Sequence, residues 1–243
     1  LAGHAGSRAA RLSGATGRHA PHQHRDPALS SPQATRILAI RHGETMWNVD
    51  TRIQGHLDIG LNDNGRWQAE RLGLALSGEP ITAIYASDLS RAHDTALAVS
   101  RRTGVPVRSE PGLRERCFGE FEGRTFAEIA LELPEQAKRW RQRDPAFAPA
   151  GGESLLVLQA RVLATAARLA EQHPGEQIAL FGHGGVMDIL YRAATRLDLQ
   201  AARTWALANT AINRLLWSPE GFSLVGWADV QHLSDDALDE SSA

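Results

Sequence analysis

The sequence predicts an α/β protein, a three-layer α/β/α sandwich with a mostly parallel central sheet. From residue 36 onward, apolar runs typical of buried strands alternate with longer segments whose apolar residues recur at helical spacing. The segments that connect the strand-like runs 36–41, 81–86 and 177–182 are also long enough for the crossover connections that parallel strands require. Ligands of such sheets bind outside the carboxyl ends of the strands, so these ends are where a functional site is expected.

Six strand-like and six helix-like segments make up this alternation. The predicted strands are 36–41, 81–86, 105–108, 177–182, 210–217 and 222–228. The predicted helices are 62–77, 88–102, 125–133, 153–172, 184–196 and 200–207. Asn62 fits the N-cap of the first helix, Gly104 closes the second, and Thr125 with Glu128 has the spacing of a capping box before the third.

Composition indicates a single globular domain rather than a nucleic-acid or membrane protein. The 243 residues are 42% hydrophobic, which is enough to bury a full core. A net charge of −2 and a pI near 6.6 argue against nucleic acid or an anionic membrane as the main partner, and no apolar run approaches a membrane span. The single cysteine, Cys117, and the lack of a secretory signal favour a cytoplasmic location. A homo-oligomer is left open.

The two ends of the chain differ from its middle. Residues 1–34 are rich in small residues, Arg, His and Pro without periodicity, and are predicted to be a disordered basic arm that also resembles a targeting segment. Residues 1–36 hold five Arg and one Asp, a net charge of +4, so the rest of the chain carries −6. The predicted globular domain covers 35–230, and 231–243 form an acidic tail.

Two predicted strands each deliver a histidine beside a glycine. Arg41-His42-Gly43 ends the first strand, and Gly182-His183-Gly184-Gly185 ends the fourth. A guanidinium beside His42 would repel an imidazolium and attract an anion, which favours a neutral histidine that attacks a phosphate. The glycines around His183 permit close backbone approach to an anion, with the N–H groups of a helix beyond them.

Further charged groups are expected at the same edge of the sheet. Ser87-Asp88 follows the second strand and places Arg91 in the first turn of a helix, where two guanidiniums and two imidazoles would form a phosphoryl pocket. A carboxyl group is still needed for the proton of the leaving group. Glu115 is the preferred candidate, although Glu44, Glu120 and Glu122 lie nearby and spacing alone does not choose among them.

The ordered motifs resemble those of the histidine phosphatase superfamily, which has the phosphoglycerate mutase-like fold. The resemblance runs from residue 36 to 230. It is carried by Arg41–Asn48, Arg52–Gly55, Ser87–Thr95, Leu113–Gly123, Gly151–Ser154 and Gly182–Gly185.

The resemblance implies a role for each matching residue. His42 would be the nucleophile that becomes phosphohistidine, and Glu115 the proton donor that later activates water. Arg41, Arg91 and His183 would bind the phosphoryl oxygens. Asn48, Gln54, Gly55 and Gly184 would contact phosphate or substrate. No metal and no cofactor are implied, because the arginines can take the electrostatic part that Mg²⁺ has elsewhere.

The loop after Glu115 favours hydrolysis over phosphate transfer. Cys117 and Phe118 stand where mutases of the family typically have His and Tyr, and the stretch 123–151 is shorter than in bacterial-type mutases. The expected function is therefore a metal-independent phosphomonoester hydrolase acting on a small phosphorylated metabolite. A cofactor-dependent phosphoglycerate mutase and a catalytically silent binding protein on the same fold are the alternatives.

Overall fold

Six strands form a single sheet in the order β3-β2-β4-β1-β5-β6. The structure is a computed structural model and describes residues 1–3 and 33–234. The strands are β1 (Thr35–Arg41), β2 (Ile81–Ala86), β3 (Val107–Ser109), β4 (Gln177–Gly182), β5 (Ile212–Ser218) and β6 (Gly221–Asp229). The first four run parallel, while β5 pairs antiparallel with β1, and β6 with β5. The predicted mostly parallel sheet is confirmed.

Helices cover both faces of this sheet. They are α1 (Met46–Val49), α2 (Asp63–Ala75), α3 (Ser90–Thr103), α4 (Phe126–Glu132), α5 (Pro134–Arg141), α6 (Leu155–Glu171) and α7 (Gly184–Thr195). Ile37 and Ala39 of β1 face a core shared with α6 and α7, whereas Leu38 and Ile40 face a core shared with α2 and α3. This alternation buries both faces of β1 and produces the predicted three layers. None of the helices in the described part of the chain is long and apolar enough to cross a membrane.

Local signals in the sequence explain where several helices begin and end. The Asn62 side chain accepts a hydrogen bond from the N–H of Gly65 at 2.7 Å, and Thr125 forms the predicted capping box with Glu128. Gly104 ends α3 in the left-handed conformation, with φ of 74°. Two helices are not in the predicted set: the single turn α1, and α5, which Pro134 starts at its first position.

The predicted helix at 200–207 is wrong. This segment consists of turns and extended chain, because its backbone and side chains are engaged by distant parts of the molecule. The Leu207 carbonyl accepts a hydrogen bond from Arg41, and the Ala206 carbonyl accepts one from Trp227 at 2.8 Å. The ring of Trp205 stacks on Tyr191 with the centroids 4.1 Å apart. These long-range contacts outweigh the local helix propensity.

Two terminal predictions lie largely outside the described residues. The predicted arm is described only at residues 1–3 and 33–34, and the tail only at 231–234. The described part of the tail is attached to the domain through Arg71, whose guanidinium donates to the carbonyls of His232 at 2.7 Å and Ser234 at 2.9 Å.

Candidate active site

Three neighbouring strand ends bring the site together. In the register of the parallel strands, Arg41 of β1 lies beside Gly182 of β4, and Ala86 of β2 lies beside Phe181. The residues that follow these strands therefore meet at one edge of the sheet, as the sequence predicts.

His42 is held as a neutral imidazole with one nitrogen available. The residue is 3% exposed, and its Nδ1 lies 2.7 Å from the carbonyl oxygen of Gly43. A carbonyl only accepts, so Nδ1 carries the hydrogen and Nε2 keeps its lone pair. Burial lowers the pKa of His42 well below its ordinary value, and the charges of Arg41 and Arg91 lower that pKa further.

His183 lies beside His42 at the N-terminus of α7. It is fully buried, with its ring centroid 5.2 Å from that of His42. Its Nε2 forms a 2.9 Å hydrogen bond with the hydroxyl of Ser87, the residue after β2. Burial lowers the pKa of His183 well below its ordinary value, with a further contribution from Arg91. Sequence reasoning placed Ser87 at this edge without recognising that it orients His183.

Two buried guanidiniums flank the histidines. The Nη atoms of Arg91 donate to the carbonyls of Gly55 and Leu57, each at 2.8 Å, and Arg41 donates to the carbonyl of Leu207. The Nε atoms of both arginines are buried without a hydrogen-bond partner among residues 33–234. Desolvation lowers the pKa of Arg41, and that of Arg91 to about 10. A desolvated positive charge with unused donors favours a bound anion.

Glu115 faces the same space from the opposite side. Its Oε1 accepts hydrogen bonds from the N–H groups of Arg116 at 2.7 Å and Gly185 at 3.1 Å, so the carboxyl group lies against the first turn of α7. Its main-chain carbonyl accepts from Nε2 of His56 at 2.8 Å. Sequence reasoning did not identify His56, because the bond joins residues that are far apart in the chain.

The competing carboxylates are engaged elsewhere. Glu44 accepts from the Asn62 amide at 2.8 Å, Glu120 from the Gln136 amide at 3.1 Å, and Glu122 from the backbone N–H of His56 at 2.9 Å. None of these three glutamates lines the cavity that contains Glu115.

The other residues that were predicted to contact phosphate or substrate have different surroundings. Gly55 holds Arg91 through its carbonyl and has a φ of +53°, and Gly184 lines the cavity with Arg41. Gln54 is buried, and its Oε1 has no partner among residues 33–234. The Oδ1 of Asn48 accepts from the N–H of Thr45 at 3.0 Å as part of the cap of α1.

A cavity of about 450 Å³ extends from this cluster. It meets the cluster at Arg41, Glu115 and Gly184, whereas His42 and His183 are not among its lining residues. The remaining lining residues are Arg116, Phe118, Trp140, Arg143, Leu155, Leu158, Gly185, Asp188, Arg203 and Leu207.

The basic residues between Gly123 and Gly151 mostly lie outside this cavity. Of Arg124, Lys138, Arg139, Arg141 and Arg143, the last alone lines it. Arg124 pairs with Glu132 at 2.5 Å and Arg139 with Asp144 at 2.7 Å.

Comparisons with known proteins agree with this geometry. The sequence profile of the histidine phosphatase superfamily (branch 1) matches residues 37–230. The chain is 38% identical to phosphoglycerate mutase-like protein 4 of Arabidopsis thaliana, over 82% of this chain and 87% of that protein. It is 36% identical to the metal-independent phosphoserine phosphatase of the same plant, over 83% and 84% of the two chains.

A solved structure is similar as well. The mycobacterial glucosyl-3-phosphoglycerate phosphatase, in complex with VO3, aligns with a TM-score of 0.71 and 32% identity, over 79% of this chain and 98% of that one. The fold, the order of the motifs and the profile match lead to one assignment: the chain belongs to the histidine phosphatase superfamily.

Proposed function

We propose that this phosphomonoesterase works through a phosphohistidine on His42 and acts on a small phosphorylated metabolite. The observation that carries the proposal is the buried imidazole of His42, whose Nδ1 is tied to the Gly43 carbonyl between two desolvated guanidiniums. That arrangement leaves Nε2 as a neutral nucleophile in a place that favours a phosphoryl dianion.

The proposed reaction has two steps. In the first, the lone pair on Nε2 of His42 attacks phosphorus in line with the ester oxygen, and the P–O bond breaks as the N–P bond forms. Glu115 gives its proton to the leaving alkoxide. In the second step, Glu115 accepts a proton from water as the water attacks the phosphohistidine, which releases inorganic phosphate and restores the imidazole.

The other charged groups would stabilise the transferring phosphoryl group. Arg41, Arg91 and His183 surround His42 and would donate hydrogen bonds to the equatorial oxygens, where charge accumulates in the transition state. Because these donors are held by backbone carbonyls or by Ser87, they need little reorganisation during the reaction.

Hydrolysis is favoured over mutase activity by the loop after Glu115. Phe118 lines the cavity and offers no hydroxyl to a substrate. The stretch between Gly123 and Gly151 is short, which favours attack of water on a phosphoenzyme. The similarity to a metal-independent phosphoserine phosphatase supports the same choice. The cytoplasmic location and any homo-oligomeric state stay predictions from the sequence.

One assay separates the three candidate functions. The protein and His42→Ala are each incubated in chelator with an aryl phosphate, and with 3-phosphoglycerate plus 2,3-bisphosphoglycerate. Chelator-resistant hydrolysis that His42→Ala abolishes is the expected result. Interconversion of phosphoglycerates without phosphate release would identify a mutase, and a folded protein without turnover would identify a binding protein.

A further inference from the structure

The cavity beside Glu115 is lined by both apolar and cationic side chains. Phe118, Trp140 and Leu207 are among the apolar ones, and Arg143 and Arg203 are among the cationic ones. The following inference rests on the proposed function, because it concerns the part of the substrate that leaves as the alcohol.

Most of the cationic side chains that line the cavity already form hydrogen bonds within the protein. Arg116 donates to the carbonyls of Glu153 at 2.8 Å and Phe147 at 2.9 Å. Arg143 donates to the carbonyl of Leu199 and to the carboxylate of Asp188, both at 2.7 Å. These contacts fix both guanidiniums to the cavity wall and use donors that a ligand would otherwise need.

Arg203 is different, because it forms no hydrogen bond or ion pair within residues 33–234. Its side chain is exposed at the cavity, on the segment 200–207 that the contacts of Trp205 and Leu207 hold in place. The charge of Arg203 is also near enough to lower the pKa values of Arg41 and Arg143. The cavity thus contains a positive charge that the described residues do not neutralise, and an anion would relieve this repulsion.

We infer that Arg203 binds a carboxylate on the alcohol portion of the substrate while Arg41 and Arg91 hold the phosphoryl group. One unpartnered guanidinium matches the single charge and the planar geometry of a carboxylate. A second phosphate would require more cationic donors than Arg203 alone supplies, since Arg143 is paired with Asp188. Arg203 is therefore a specificity-determining residue that selects phosphorylated carboxylic acids.

The test uses two matched pairs of substrates that differ by the carboxylate: 3-phosphoglycerate against glycerol 3-phosphate, and phosphoserine against phosphoethanolamine. We expect the wild-type enzyme to have the higher kcat/KM on the acid in at least one pair. In Arg203→Gln that kcat/KM falls about tenfold, as expected for the loss of a hydrogen bond to a charged group, and the difference in kcat/KM within the pair shrinks accordingly. Arg203→Lys retains part of the preference, because it keeps the charge without the planar fork.

Lys138→Gln is the matched control, because it removes an exposed positive charge on α5 that does not line the cavity. We expect Lys138→Gln to retain the higher kcat/KM on the acid. Equal kcat/KM within both pairs, or a preference that Arg203→Gln does not reduce, overturns the role of Arg203. Absence of aryl phosphate hydrolysis in the wild-type protein would instead overturn the proposed function, so the two failures are distinguishable.

Discussion

The Nδ1 atom of His42 lies 2.7 Å from the carbonyl oxygen of Gly43, the residue that follows it in the chain. The ring is thus oriented by a backbone carbonyl rather than by a carboxylate, and the hydrogen lies on Nδ1 because a carbonyl only accepts. The same turn of chain is anchored by the Asn209 amide, which donates to the carbonyl of His42 at 2.8 Å. The proposed nucleophile is thus oriented by its own backbone and by the loop that precedes β5.

The turn at Gly43 has no room for a side chain. A Cβ at this position would lie 2.5 Å from the carbonyl oxygen of Gly65 in α2, and backbone atoms cannot move away cheaply. Gly43→Ala is therefore expected to lower the free energy of unfolding by about 2 kcal/mol, measured by urea denaturation. Gly60→Ala is the control, because a Cβ there meets nothing within 4 Å. Equal stability of the two variants would contradict the close approach.

Ser87 holds His183 through the 2.9 Å hydrogen bond to Nε2. Ser87→Ala removes this bond, and the freed imidazole loses its fixed direction toward the phosphoryl group. We expect kcat on an aryl phosphate to fall about tenfold, from the loss of about 1.4 kcal/mol of positioning.

Ser90→Ala is the matched control, because that hydroxyl bonds to the exposed Asp58 at 2.8 Å. It should retain wild-type kcat. An unchanged kcat in Ser87→Ala would show that His183 does not need this partner.

His56 acts on Glu115 through the main chain. Its Nε2 lies 2.8 Å from the Glu115 carbonyl, so His56→Phe should misplace the carboxyl group that we propose as the proton donor. The kcat of His56→Phe on alkyl phosphates, which need a proton on the leaving oxygen, should fall about tenfold. Its kcat on aryl phosphates with acidic leaving groups should change little. The measurement is the slope of log kcat against leaving-group pKa across a series of esters.

His56→Gln should restore much of the activity on alkyl phosphates, because its amide can donate to the same carbonyl. A uniform loss across all esters in His56→Phe would indicate a structural defect and contradict the positioning role.

The lowered pKa values of His42 and His183 predict how stability depends on pH. Unfolded chains protonate both imidazoles as the pH falls through about 6.5, whereas the folded protein protonates them well below that value. The unfolded state then binds more protons, so the free energy of unfolding falls with decreasing pH by up to about 1.4 kcal/mol per pH unit for each histidine.

Urea titrations between about pH 7 and about pH 5.5 measure this dependence. The double variant His42→Gln/His183→Gln should have a smaller slope, because neither glutamine titrates. If the free energy of unfolding changed with pH equally in the wild type and the variant, the two imidazoles would not be the source of the pH dependence.

The sequence predicts the part of the site that depends on strand ends. Because β1, β2 and β4 are mostly apolar, their bounds could be assigned, and parallel strands bring His42, Ser87 and His183 to one edge. The family resemblance supported the expected roles of Glu115 and Arg91. The periodicity of apolar residues predicts helices and strands but does not indicate such roles.

The sequence does not predict the loop between α7 and β5. Trp205 and Leu207 lie in the predicted helix 200–207, and Asn209 follows it, yet they contact Tyr191, Arg41 and His42. These partners are distant in the chain, so no local pattern reports them. The same loop carries Arg203, which explains why the proposed selectivity emerges from the structure alone.

The central claim is the covalent intermediate on His42, and trapping it is the most direct test. In Glu115→Gln, an aryl phosphate with an acidic leaving group should still phosphorylate the enzyme, while the attack of water slows for lack of a base. Rapid quenching at alkaline pH followed by peptide mass spectrometry should then find phosphate on His42 of this variant. Phosphate on another residue, or hydrolysis by His42→Ala at the wild-type rate, would contradict the account.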